Sequence, residues 1–300
     1  MAGHHGHDHA TADRRSLAAA LGLILGLLAA ELVVGILASS LALLADAGHM
    51  LTDAAALALA LVAASVAQRP PRGSWTFGFR RVEILAALAN GITLALVGIW
   101  IVYASIRRLV TPPEVRGGLV LVVALAGVAV NLAATLLLSR ASRDSLNVRG
   151  AFLHVATDLA AFAATAAAGA LVLATGWDRF DPLAGLGVAA LMIYASVGLL
   201  RESGRIFLEA SPREIDPDAV AAALAGDGEV VEVHDLHVWT VTSGFPALAA
   251  HVLVEPDADC HAARRRLEHV LHERFGVTHT TLQVDHVARR SQDVRIELRR

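Results

Sequence analysis

Apolar and polar positions in this chain fall into long blocks. Six apolar runs cover Ser16 to Ala38, Leu41 to Ala67, Val82 to Ile106, Gly118 to Ser139, Val148 to Thr175 and Leu183 to Leu200. Each suits a helix crossing a hydrocarbon core at about 20 residues per span. Only Ser39 and Ser40 separate the first two, which predicts adjacent antiparallel helices. Gln68 to Arg81 is a loop by its prolines, glycines and charges, and Gly176 to Pro182 is a turn. Past Arg205 the period changes. Ile215 to Leu224 reads as a helix, while Val230 to Val241, Ala247 to Val254 and Val277 to Val287 read as strands. His261 to Phe275 is a helix with Leu267, Val270 and Leu271 as its apolar stripe. The pattern predicts an α-helical membrane protein with six transmembrane helices, followed by a small α+β (αββαβ, ferredoxin-like) cytoplasmic domain. The expected divisions are 1–15, a His-rich N-terminus; 16–205, the membrane domain; 206–290, the αββαβ domain; and 291–300, a tail.

Composition narrows the class. Hydrophobic residues make up 55% of the chain, mean hydropathy is +0.56, and aromatic residues are only 5%. That profile suits membrane helices packed through small side chains. A formal net charge of -3 favours no nucleic-acid partner. The single cysteine, Cys260, excludes an internal disulfide framework and a cysteine-cluster metal site. Every basic residue is Arg, and an odd-even count of the connections puts eleven near one membrane face and four near the other. The positive-inside rule then places both termini in the cytoplasm. The four on the outer side, Arg107, Arg108, Arg116 and Arg179, run against that trend. The first apolar run has no small-residue cleavage site and is read as a retained helix. Before it, His4, His5, His7 and His9 with Asp8 have metal-binding composition, and a purification tag is the rival explanation.

The chemistry sits inside two apolar runs. Asp46-Ala-Gly-His49-Met-Leu-Thr-Asp53 and His154-Val-Ala-Thr-Asp158 each place a histidine four residues before an aspartate, on one helix face. A carboxylate at bilayer depth costs about 2.5–3.5 kcal/mol even on the lenient insertion scale, so it needs a partner or a cavity. Counted from opposite ends of antiparallel helices at about 1.5 Å per residue, both histidines reach the middle of a ~30 Å core. Two imidazoles and two carboxylates suit tetrahedral Zn²⁺, whose charge offsets both aspartates. The alternatives are interhelical hydrogen bonding and haem ligation by His49 and His154; haem leaves both aspartates without a role. No His-Glu-x-x-His run and no Gly-x-x-x-x-Gly-Lys loop is present, which argues against a metalloprotease and an ATP-driven pump. Asp46 shares the face of His49 but has no counterpart in the second copy; an outer-path lining and a hydrogen-bonding role are both open to it.

These motifs, with Phe77-Gly-Phe-Arg-Arg-Val-Glu83, Asp181-Pro182 and the αββαβ tail, resemble the cation diffusion facilitators, in particular the bacterial zinc, cobalt and cadmium efflux branch. The resemblance implies a membrane transporter rather than an enzyme, with His49, Asp53, His154 and Asp158 as the transport site. It implies Zn²⁺ as the cargo, H⁺ as the counter-ion, a homodimer joined through the cytoplasmic domain, and a place in the bacterial inner membrane. A membrane-anchored metal sensor is the alternative from another class; Cd²⁺ or Co²⁺ as the main substrate is the alternative within this one. In the tail, the resemblance implies a regulatory zinc site at His234, His251, His261 and Asp285. His237, His286 and Cys260 are further donors nearby, and Gln283 stands where a branch of the family has a ligand histidine. The loop between helices two and three has neither Asp nor His, so no loop site is expected.

Overall fold

Long apolar helices, broken where proline, glycine or a serine pair interrupts them, dominate the computed structural model. It describes residues 25–139 and 146–287, with the side chains of residues 133–157 outside the description. The histidine tract at positions 4 to 9 and the tail from 291 lie outside the described residues. Helix α1 is described over Leu25–Leu37, and the Ser39–Ser40 break leads into α2, Leu41–Ala67. Helices α3 (Val82–Val110), α4 (Gly117–Ser139), α5 (Leu146–Thr175) and α6 (Phe180–Phe207) follow. Among the described residues α2, α3, α6 and the Asp158–Thr175 part of α5 are long and apolar enough to cross a membrane, and the described parts of α1 and α4 are shorter apolar helices. Proline decides one boundary. Helix α3 continues through Arg107 and Arg108 and ends before Pro112, as the restriction on residues preceding proline requires.

The chain divides into two units, the first holding residues 25–59 and 89–199 among those described. Its interior is built from small and branched residues. Ala45 of α2, Leu94 and Ile101 of α3, Ala161 of α5, and Val188, Ala189 and Met192 of α6 form one cluster. Ala38, Leu43, Val115, Val120 and Val172 form a second. Helices α4 and α5 meet backbone to backbone: a Cβ on Gly117 would stand 2.8 Å from the Gly169 carbonyl oxygen, so only hydrogen fits there. In lipid, where apolar burial gives no drive, such close approach is what holds helices together.

The second unit takes residues 60–88 and 200–287 among those described. It contains α7 (Pro217–Ala225), β1 (Val230–Thr242), β2 (Phe245–Val254), α8 (Cys260–Phe275) and β3 (His279–His286). The strand order is β1-β2-β3, with β1 antiparallel to β2 and β2 parallel to β3. The expected αββαβ order is present. Helix α8 makes the crossover that a parallel pair needs, capped by Asp259 and ended at Gly276 with φ of 66°. Val220 and Leu224 of α7 and Ala263, Leu267 and Leu271 of α8 pack with Leu248, Ala250, Val252 and Val254 of β2. Full burial of each leucine contributes roughly 1.5–3 kcal/mol. Alternation along β2 turns His251 to the opposite, open face.

Candidate metal centre

The helical period brings His49 and Asp53 to one face of α2, and packing brings Asp158 of α5 to meet His49. His49 Nε2 lies 3.7 Å from Asp53 Oδ2 and 3.8 Å from Asp158 Oδ1. Both distances are long for a hydrogen bond. Two ligands on one tetrahedral zinc, each 2.0–2.1 Å from it, stand about 3.3 Å apart. His49 is therefore within about half an ångström of ligand spacing from each carboxylate, while the two carboxylates, which lie more than 4.8 Å from each other, must draw together further to share an ion. Ala45, one turn before His49, and Ala161, nearly one turn after Asp158, belong to the same buried cluster, so core packing fixes the two helices beside the site. His154 lies on α5 one turn before Asp158, and its side chain is outside the description.

Openness separates the ligand candidates from their neighbours. The side chains of His49, Asp53 and Asp158 are 16%, 33% and 21% exposed. Asp46 is 2% exposed and Glu31 of α1 is fully buried. The two carboxyls lie close enough to influence each other, although among the described residues neither Glu31 oxygen nor Asp46 Oδ2 has a hydrogen-bond partner. Asp46 thus belongs to a sealed contact between α1 and α2. Glu31 is the single charge of the first apolar run, and nothing local says which turn of α2 it faces.

In the second unit, His234 and His251 are direct partners across β1 and β2, and His251 pairs with Gln283 of β3. The two rings meet edge to face with centroids 5.3 Å apart. Asp235 completes the group: ligand atoms of His234, Asp235 and His251 all lie within 4.8 Å of one another. Asp235 has φ of 50° at a register break between His234 and His237. A β-bulge there turns consecutive residues toward the same face, and Asp tolerates the left-handed backbone better than most residues. His261 and Asp285, expected beside the two histidines, are not part of that group among the described residues. Asp285 accepts a hydrogen bond from Gln283 Nε2 at 2.8 Å. His261 sits in the first turn of α8, where its backbone N–H donates to Asp259. His286 contacts Cys260 Sγ and the Ala258 carbonyl. A cavity of about 300 Å³ opens beside Asp235, His237, His251 and Gln283.

With this geometry in hand, comparison with known proteins gives matches over most of the chain. Residues 17–208 match the family model described as the cation efflux transmembrane domain, and residues 212–287 match the one described as the cation efflux protein cytoplasmic domain. A cadmium, cobalt and zinc/H(+)-K(+) antiporter of Bacillus subtilis is 36% identical over 286 residues, covering 93% of this chain and 92% of its own. The zinc transporter ZitB of Escherichia coli is 37% identical over 290 residues, covering 94% and 92%. A solved structure, the metal-bound C-terminal domain of the CzcD transporter from Cupriavidus metallidurans, aligns with 23% of this chain and 97% of its own at 30% identity. Its TM-score is 0.23.

Proposed function

The chain belongs to the cation efflux family of membrane transporters, and we propose that it exports a divalent metal, foremost Zn²⁺, from the cytoplasm in exchange for protons. The observation that carries this reading is the approach of His49 to two carboxylates, Asp53 of its own helix and Asp158 of α5, at 3.7 and 3.8 Å. His154, one turn from Asp158 on α5, is the fourth ligand of the proposal. Nitrogen and oxygen donors bind zinc without the grip of a thiolate cage, which suits cargo that must leave. The imidazoles supply the exchange: each must be neutral to bind metal, and each takes a proton when the metal goes. The relatives' names bring cadmium and cobalt into the same range of cargo.

The proposal also covers assembly and place. The cytoplasmic domain joins two copies, the protein lies in a bacterial inner membrane, and both termini face the cytoplasm. The His234–Asp235–His251 group holds regulatory metal, with His261 and Asp285 as its remaining candidate ligands. The division of the chain near residue 205 into membrane and cytoplasmic domains is part of the same reading.

The test is metal flux in proteoliposomes loaded with a zinc-sensitive dye. Purified wild type moves zinc well above empty liposomes, and His49→Ala or Asp158→Ala returns to that background. Normal flux in either variant overturns the site. A wild-type protein that binds zinc through its cytoplasmic domain and moves none favours the sensor reading.

A further inference from the structure

Helix α2 carries two of the proposed ligands, and its first turn is held by another helix. The first N–H groups of any helix have no partner within it, and leaving them bare is costly where the residues are buried, as Leu41 and Ala42 are. Ser40 serves one: its Oγ accepts from the Leu43 N–H at 3.2 Å. The others go to Asp181 in the first turn of α6. Asp181 Oδ2 accepts from the Leu41 N–H at 2.6 Å, and Oδ1 accepts from the Ala42 N–H at 3.4 Å. Ser40 Oγ donates to the same Oδ1 at 2.5 Å. Arg108 of α3 stands 4.0 Å from Asp181 Oδ2 and donates to the Ser39 carbonyl at 2.6 Å. Asp181 is 1% exposed and Ser40 is fully buried. One carboxylate thus lies at the positive ends of two helices, its own and α2, with a guanidinium close by.

From this arrangement we infer that Asp181 is a positioning residue for the metal site, acting through α2. His49 follows Leu41 by eight residues and Asp53 by twelve, which places them about 12 and 18 Å down one continuous helix. Whatever fixes the first turn fixes their depth. A slip of one residue along α2 moves each ligand about 1.5 Å and turns it by about 100°, which separates it from Asp158. Functional groups have to be held within about half an ångström. A Ser40 cap alone is internal to α2 and sets no depth. The carboxylate reaching in from α6 refers α2 to its neighbours.

The inference rests on the transport reading, and the experiment separates the two. Zinc flux is measured against zinc concentration for wild type, Asp181→Ala, Asp181→Asn and Ser40→Ala in proteoliposomes. Amide hydrogen exchange is followed over Leu41 to Leu44. KM is the informative quantity, because it does not depend on how much of the protein is active. Asp181→Ala raises KM about tenfold, the scale of losing a group that orients metal ligands, and the first-turn amides exchange faster. Asp181→Asn keeps an acceptor oxygen and falls between it and wild type. Wild-type KM with only a lower maximal flux makes Asp181 a residue of stability alone and overturns the inference. If Asp181→Ala does not fold, Asp181→Asn decides: raised KM supports the inference and wild-type KM overturns it. Wild type without zinc flux overturns the transport reading, and the positioning role falls with it.

Discussion

Asp235 is the residue whose part depends most on three-dimensional context. Its neighbours His234 and His251 were candidates from the sequence because strands with histidines in ligand-like positions resemble a known pattern. Asp235 joins them through a left-handed turn of backbone at a break in strand register. Alternation in a regular strand would send it to the opposite face from His234. A chain carrying His49→Ala and Asp158→Ala, which removes two ligands of the proposed membrane site, isolates the second-unit group. In a competition titration of that chain with a zinc chelator, Asp235→Ala weakens binding about tenfold or more. His261→Ala weakens it less, because His261 lies outside the three-residue group. Unchanged affinity after Asp235→Ala removes it from the ligand set. The membrane pair was legible for the opposite reason: His49 and Asp53 sit on a regular helix, where a spacing of four needs no tertiary knowledge. That Asp158 meets His49 came only from the coincidence of depth, and nothing in the sequence beyond its being the lone charge of its run pairs Glu31 with Asp46.

At the scale of elements, hydropathy marked where apolar side chains stop, and helices stop elsewhere. Helix α6 runs on from Leu200 to Phe207, since a helix leaving lipid keeps its internal hydrogen bonds in water. The arginines that run against the charge count have work at helix ends. Arg108 donates to the Ser39 carbonyl at 2.6 Å and Arg179 to the Leu109 carbonyl at 2.8 Å, so each satisfies a backbone group that apolar neighbours leave bare. In the second unit, Arg266 of α8 grips the turn before β1. Its Nε and Nη2 lie 2.9 and 3.0 Å from the two Asp227 oxygens, and Nη2 also reaches Glu229. The guanidinium, chiefly, holds the Asp227 carboxyl below its ordinary 3.8. A carboxyl whose pKa is lowered by folding stabilises the fold at pH above its unfolded value. That contribution fades as pH falls through the lowered pKa. Calorimetry of the full chain in detergent therefore gives Asp227→Asn a lower melting temperature than wild type for the second unit at pH 7. The gap narrows below about pH 4 and closes once both forms are protonated. A gap independent of pH makes the contact one of packing rather than charge.

For the whole molecule, charge balance ties the proposed metal site to the proposed proton exchange. With Zn²⁺ bound, two carboxylates and two neutral imidazoles make a site of zero net charge. When the ion leaves, the same four groups carry two negative charges inside a low-dielectric bundle. Unpaired charges there cost several kcal/mol each after relaxation. Two protons restore neutrality, and the imidazoles and carboxylates are the groups placed to take them. About two protons per metal ion is thus the exchange that leaves the site neutral in both states. The measurement pairs a zinc indicator with a pH indicator in the same proteoliposomes, with the membrane potential clamped to zero. Zinc movement in one direction is matched by proton movement in the other, at a ratio near two. A pH gradient imposed without a zinc gradient drives zinc uphill. His49→Ala stops both fluxes together, since one set of side chains serves both ions. Zinc flux with no accompanying proton movement breaks the link between charge balance and exchange. Proton flux that persists in His49→Ala places the proton path on other residues.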